Sequence, residues 1–194
     1  QLARWLTRCG IELVVMESTG IFWKSIFETL ETAAIKTYVV NARFVKNVPG
    51  RKTDVMDSEW LATLARAGLL KPSFIPPKDL RELRLIGRHR MKLQGMLAGE
   101  KNRLHKILDD AGIRLGGVVS DINGVSAREM VAGLIENKPV EELVQCARGR
   151  LKSKVEELHD SLSESISERH RFLLQKIHAH ISILESEIQE MDNY

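Results

Sequence analysis

Two short apolar runs limit what this chain can fold into. IELVVMES (Ile11–Ser18) and IKTYVVNA (Ile35–Ala42) are rich in β-branched residues, and Gly10 and Gly20 bracket the first of them. Between the runs, Ile21, Phe22, Ile26, Phe27 and Leu30 recur at helical spacing over about three turns. Two strands joined by a helix of that length pair in parallel through a right-handed crossover, because a hairpin would need only a short turn. The first expectation is therefore an α/β start: a helix over QLARWLTRCG, then strand, helix and strand. Glu17 falls at the carboxyl end of the first strand, where open α/β sheets place their ligands.

The rest of the sequence reads as helical. Pro49 and Gly50 break the chain, and Thr53 or Asp54 is placed to cap a helix that turns Trp60, Leu61, Leu64 and Ala65 inward and stops near Gly68. KPSFIPP is extended or turn-like. From Asp79 to Ala111 one long helical pattern carries Leu80, Leu83, Leu93, Leu97, Leu104, Ile107 and Leu108 on a stripe, with Gly87, Gly95 and Gly99 as weak points where it could kink. A loop is predicted over 112–124, a short helix capped by Ser126, and two further helical pieces up to Leu162. Leu174, Ile177, Ile181, Leu184, Ile188 and Met191 then repeat at alternating spacings of three and four. That repeat reads as a coiled-coil seam or helical hairpin; the alternative is an amphipathic helix packed within its own domain. The predicted organisation is 1–111, 112–160 and 161–194: α/β first, then a helix-dominated region with a coiled coil.

Asp54 and Asp57 stand one turn apart on one helix face, where like charges repel unless a cation lies between them. Two readings stand. Asp54 caps, Asp57 favours the helix dipole and Glu17 is a surface residue; or the three carboxylates hold Mg²⁺ or Mn²⁺ for phosphodiester chemistry. The neighbouring loop favours the second, since Arg43, Lys46, Arg51 and Lys52 occur there with no acid. From Arg81 to Lys106 the long helix adds Arg81, Arg84, Arg88, Arg90, Lys92, Lys101, Arg103 and Lys106 against Glu82 and Glu100 alone. Its cations are either a solvated face or a contact with nucleic acid, and such contact would fall mainly on phosphates.

At 194 residues with 43% apolar content the chain can bury a core. No run of about 18 apolar residues exists, so no membrane span is expected. Cys9 and Cys146 show no paired spacing, which fits a reducing cytosol and a cytoplasmic protein. No zinc pattern and no phosphate-binding glycine loop occurs. His178 and His180 point to different helix faces and make a poor metal pair.

MESTGIFWK, VNARFVKNVPGRKTDVMDSEWLA and RELRLIGRHRMKLQGMLAGEKNRLHKILDDAGI closely resemble the insertion-sequence-110 family of transposases, a group related to the Piv DNA invertases. VVSDINGVSAREM, ARGRLKSKVEEL and HRFLLQKIHAHISILESEI extend the likeness over essentially the whole chain. The resemblance implies a RuvC-like domain of ribonuclease-H fold with an Asp-Glu-Asp-Asp metal site, then a coiled coil and a domain carrying a nucleophilic serine. It implies DNA recombination, in many members guided by a structured RNA. By motif, Glu17 matches the family's Glu, and Asp54 and Asp57 its last two aspartates, as ligands of Mg²⁺ or Mn²⁺. The implied nucleic-acid contacts are Arg43, Lys46, Arg51, Lys52, Arg81, Arg84, Arg88, Arg90, Lys101 and Arg103, and the implied oligomer forms through the coiled coil. The family's first Asp and its serine have no match among these residues. Ser18, Ser58, Ser120 and Ser126 are not assigned that role, and the chain is expected to be a central fragment, inactive alone. A metal-dependent nuclease or junction resolvase using water, and a non-catalytic nucleic-acid scaffold, are the rival expectations.

Overall fold

The computed structural model describes residues 1–41 and 54–194, with side chains from Asp57 onward in the second stretch. The chain divides into two compact units, Gln1–Glu82 and Leu83–Tyr194.

The first unit contains α1 (Leu2–Arg8), β1 (Val14–Glu17), α2 (Phe22–Thr32), β2 (Thr37–Val40) and α3 (Asp54–Arg66). The strands pair in parallel, with Val14 opposite Thr37 and Glu17 opposite Val40. The expected strand–helix–strand start is thus present. The Ser18 N–H carries the ladder one step further, donating to the Val40 carbonyl at 2.9 Å. Gly20 then takes a φ of +56°, which a side chain would strain, and turns the chain into α2. The apolar stripe of α2 is only partly used. Leu30 is buried, whereas Ile21 and Phe22 stay 71% and 78% exposed, because two four-residue strands cover only part of an eleven-residue helix. On α3, Trp60, Leu61 and Leu64 pack with Val15, Val40 and Leu70, as their spacing predicted. The helix closes on Gly68 at φ +68°, with the Leu69 N–H donating to the Leu64 carbonyl at 3.0 Å, a Schellman ending. KPSFIPP is extended: Pro72 bridges Val40, and the Ser73 N–H donates to the Val39 carbonyl at 2.7 Å.

α4 (Lys78–Asp110) is a single unbroken helix of 33 residues. Gly87, Gly95 and Gly99 do not interrupt it. The second unit continues with α5 (Leu115–Val118), α6 (Val125–Ile135), α7 (Val140–Gln145), a 3₁₀ helix (Gly149–Ser153), α8 (Val155–Leu162) and α9 (Glu168–Asn193). Two expectations are corrected here. The 112–124 stretch contains α5, and Gly124 rather than Ser126 precedes α6. Ser126 is buried in the first turn, where its Oγ accepts the Arg148 N–H at 3.1 Å.

Leu104 and Leu108 of α4 meet Leu174, Ile177 and Ile181 of α9 in one core. Leu115, Met130, Val131, Leu134, Leu143, Leu158 and Leu162 from the intervening helices complete it. Polar pairs fix the sense of packing. Arg90 pairs with Asp192, Lys101 with Glu185 at 3.1 Å, Glu100 with His180 at 3.4 Å, and Asp110 with His170 at 2.9 Å. Partner numbers fall along α9 as they rise along α4, so the two helices run antiparallel. Gly133 has a packing reason: a Cβ there would overlap Leu143 Cδ2, and Leu143 is itself fully buried and cannot retreat.

Glu185 of α9 is held by two elements. Its Oε2 accepts from Arg128 Nη1 at 2.9 Å, its Oε1 also pairs with Arg128, and Lys101 approaches from α4. The Arg128 hydrogen bond, chiefly, holds the Glu185 carboxyl below its ordinary range, with Lys101 adding to the effect against the cost of burial. A carboxyl whose pKa is lower folded than unfolded contributes stability above its unfolded value of about 4.3, and loses it as pH falls through the lower folded value. Glu185→Gln should therefore lower the melting temperature at pH 7 and shrink the gap from wild type below about pH 4, read by thermal melts across pH. Ile181 is 6% exposed. Ile181→Asp should cost at least about 3 kcal/mol by burying an unpaired charge, read as a lower denaturation midpoint of the single chain.

Candidate functional site

The first unit positions the expected carboxylates. Glu17 is the last residue of β1, half-buried, and it accepts a hydrogen bond from the Thr19 hydroxyl. That local bond orients the carboxylate at the point where the chain leaves the sheet. Asp54 is the first residue of α3 and Asp57 lies one turn on, half-buried and engaged in an interaction of its own. α3 lies on the strands through Trp60 and Leu64. Acids in the first turn of a helix are favoured by its dipole, which offsets part of their mutual repulsion. The Asp54 side chain lies outside the described residues, as do the expected Thr53–Asp54 cap and Arg43, Lys46, Arg51 and Lys52. Among the described residues no three His, Cys, Asp or Glu side chains are grouped to hold a metal ion.

The structure divides the cations of α4 into two sets. Arg81, in the first unit, is 13% exposed at its side chain and bonds Glu31 Oε2 at 2.7 Å, the Pro76 carbonyl at 2.8 Å and the face of Phe27. This hydrogen bond, first of all, draws the Glu31 carboxyl below its ordinary range. In the second unit, Arg90 grips Asp192 through two nitrogens and lowers that carboxyl likewise. Lys101 serves Glu185, and Arg103 pairs with the buried Glu100 at 2.7 Å. The single-sequence charge count missed this, because the acids that answer Arg81, Arg90 and Lys101 lie about 50 or more residues away along the chain. Arg84, Arg88, Lys92 and Lys106 are exposed and carry no ion pair among the described residues.

One polar chain went unnoticed in the sequence. Ser167 caps α9 by accepting the His170 N–H at 3.2 Å, its Oγ lies 2.9 Å from His170 Nδ1, and His170 Nε2 reaches Asp110 Oδ2 at 2.9 Å. Serine, histidine and aspartate in sequence suggest a nucleophile, but the serine here serves as a helix cap. The Asp110 side chain is 73% exposed, so water competes for it. The arrangement fastens the start of α9 to the end of α4. Ser126 is spent on Arg148, and Cys9 and Cys146 are both free thiols. Among the described residues no helix is long and apolar enough to cross a membrane.

No curated protein matches the chain. A family model for DEDD-type transposases of the insertion-sequence-110 group, described as Transposase, matches residues 1–113. The match takes in β1, β2, α3, all of α4, and therefore Glu17, Asp54 and Asp57. It spans more than half of the 194 residues, and on that ground the chain belongs to the insertion-sequence-110 DEDD transposase family.

Proposed function

We propose that the chain is part of a DNA transposase whose phosphodiester chemistry is organised by Glu17, Asp54 and Asp57. The observation that carries this reading is that Glu17 ends β1 and Asp54 and Asp57 open α3, all inside the family-matched residues. On this reading the first unit is part of a RuvC-like domain, and the ladder Glu17–Val40 fixes the backbone from which one carboxylate projects. The donor set is three carboxylates without sulfur or imidazole, and such hard oxygen donors suit Mg²⁺ or Mn²⁺ rather than zinc. When bound, the ion supplies positive charge to a scissile phosphate. The chain's own part is to hold the acids: Thr19 orients Glu17, and α3 sets Asp54 and Asp57 one turn apart at its N-terminal end. DNA is the substrate, a structured guide RNA is the second partner implied by the family, and self-association through the helical region belongs to the same reading.

Asp57→Asn and Glu17→Gln each remove one charge with little change in volume. In active transposase each should reduce divalent-dependent strand exchange by more than about a hundredfold, the upper range for losing an outer partner of a metal ligand, with the melting temperature retained. Strand exchange at the wild-type rate in either variant would remove the carboxylates from the mechanism.

A further inference from the structure

The unpaired cations of α4 are not scattered. At 3.6 residues per turn, Arg84, Arg88, Lys92, Gly95, Gly99, Asn102 and Lys106 fall within about 80° of one another. Leu93, Leu97, Leu104 and Leu108 occupy the opposite side and face the core. The outer strip is exposed along its length, and a Cβ added at Gly95 or Gly99 would meet nothing within 4 Å. The acids of α9 answer the cations on the flanks, Arg90 and Lys101, and leave this strip unneutralised.

We infer that this outer strip of α4 is a track for the sugar–phosphate backbone of duplex DNA, bound without regard to sequence. The inference rests on the reading of the chain as a DNA transposase. Arg84, Arg88 and Lys92 rise about 6 Å at each step, close to the span of two phosphates on one strand. Glycines beyond them let a backbone approach the helix without a side chain between. The strip holds no aromatic residue on which an unpaired base could stack, and Met91 and Leu85, 70% and 57% exposed, border it on its two sides. A track of cations and small residues suits a duplex better than a single strand, whose binding draws on aromatic platforms. From Arg84 to Lys106 the helix rises about 33 Å, or roughly ten base pairs.

The test uses the whole protein and a random-sequence DNA duplex of about 20 base pairs, titrated over a range of salt. The variant Arg84→Gln/Arg88→Gln/Lys92→Gln should weaken binding at least about tenfold and lower the slope of log affinity against log salt by about 2.7, or 0.9 for each lost phosphate contact. Gly95→Glu adds an anion where there is open space; it should weaken binding with helicity and melting temperature unchanged. Single-stranded DNA should bind less tightly than the duplex and lose less in the triple variant. If wild type binds the duplex and the triple variant keeps its slope while folded, the track is refuted and the transposase reading stands. If wild type shows no salt-dependent duplex binding, both fall. Tighter binding of an RNA duplex through the same three cations would overturn the assignment to DNA.

Discussion

The antiparallel pairing of α4 with α9 is the constraint on which the second unit depends. Each helix carries an apolar stripe that it cannot bury alone, and five short helical segments lie between them in sequence. Leu104 and Leu108 against Leu174, Ile177 and Ile181 close a loop of more than 60 residues, so their burial must offset the entropy of that closure. The polar pairs contribute less individually, since Arg90, Asp192 and His180 are partly exposed and solvent screens such pairs. Their value lies in register. Four pairs spaced along both helices admit one sliding position, and a shift by one turn would set Glu185 apart from Arg128 and Lys101 at once.

This pairing also changes the electrostatics of α4. Taken by itself the helix is a strongly basic rod. Folded, its flank is met by the acids of α9, and the guanidinium of Arg90 and the ammonium of Lys101 become structural. Among the described residues, the unpaired positive charge of α4 is left on the side away from the core. The same packing that hides the leucines therefore decides which cations remain available to a polyanion.

The sequence made the local elements legible and left their partners dark. Short β-branched apolar runs identified β1 and β2, and spacing of three and four identified α2 and the full run of α4, because those signals reflect geometry within a few residues. Parallel pairing of β1 and β2 could be read as well, since a helix between two strands leaves few alternatives. The α9 stripe could be seen, but its partner could not. A spacing of three and four is the same for a seam between chains and for burial in one's own unit, and in this chain Leu174, Ile177 and Ile181 are buried against α4 and the inserted helices. Ser126 misled because serine before an apolar run is a good capping signal; its hydroxyl went instead to the distant Arg148 N–H. The place of Glu17 at the strand end was legible, whereas its hydrogen bond from Thr19 drew no notice because an exposed threonine beside a glycine reads as turn chemistry.

The two units differ in how far their own residues account for their stability. In the second, eighteen buried apolar residues form one cluster, and at about 1.5–3 kcal/mol for each large side chain they offer the helices a substantial core. Among the described residues of the first, the cluster on the sheet contains two buried residues, Val40 and Leu64, with Leu6, Leu30 and Val39 also buried. A sheet of two four-residue strands is marginal by itself, and Trp5, Ile11, Ile21, Phe22, Leu69 and Phe74 remain exposed. Glu17, Asp54 and Asp57 all belong to this first unit. On the proposed reading the acids must hold several like charges near a phosphate, which calls for a firm backbone, and that firmness rests on the β1–β2 ladder, the Ser18-to-Val40 bond that extends it, and the Trp60–Leu64 face of α3. Loosening of any of the three would move Glu17 relative to the start of α3, so the geometry of the acids is coupled to the packing of a small sheet.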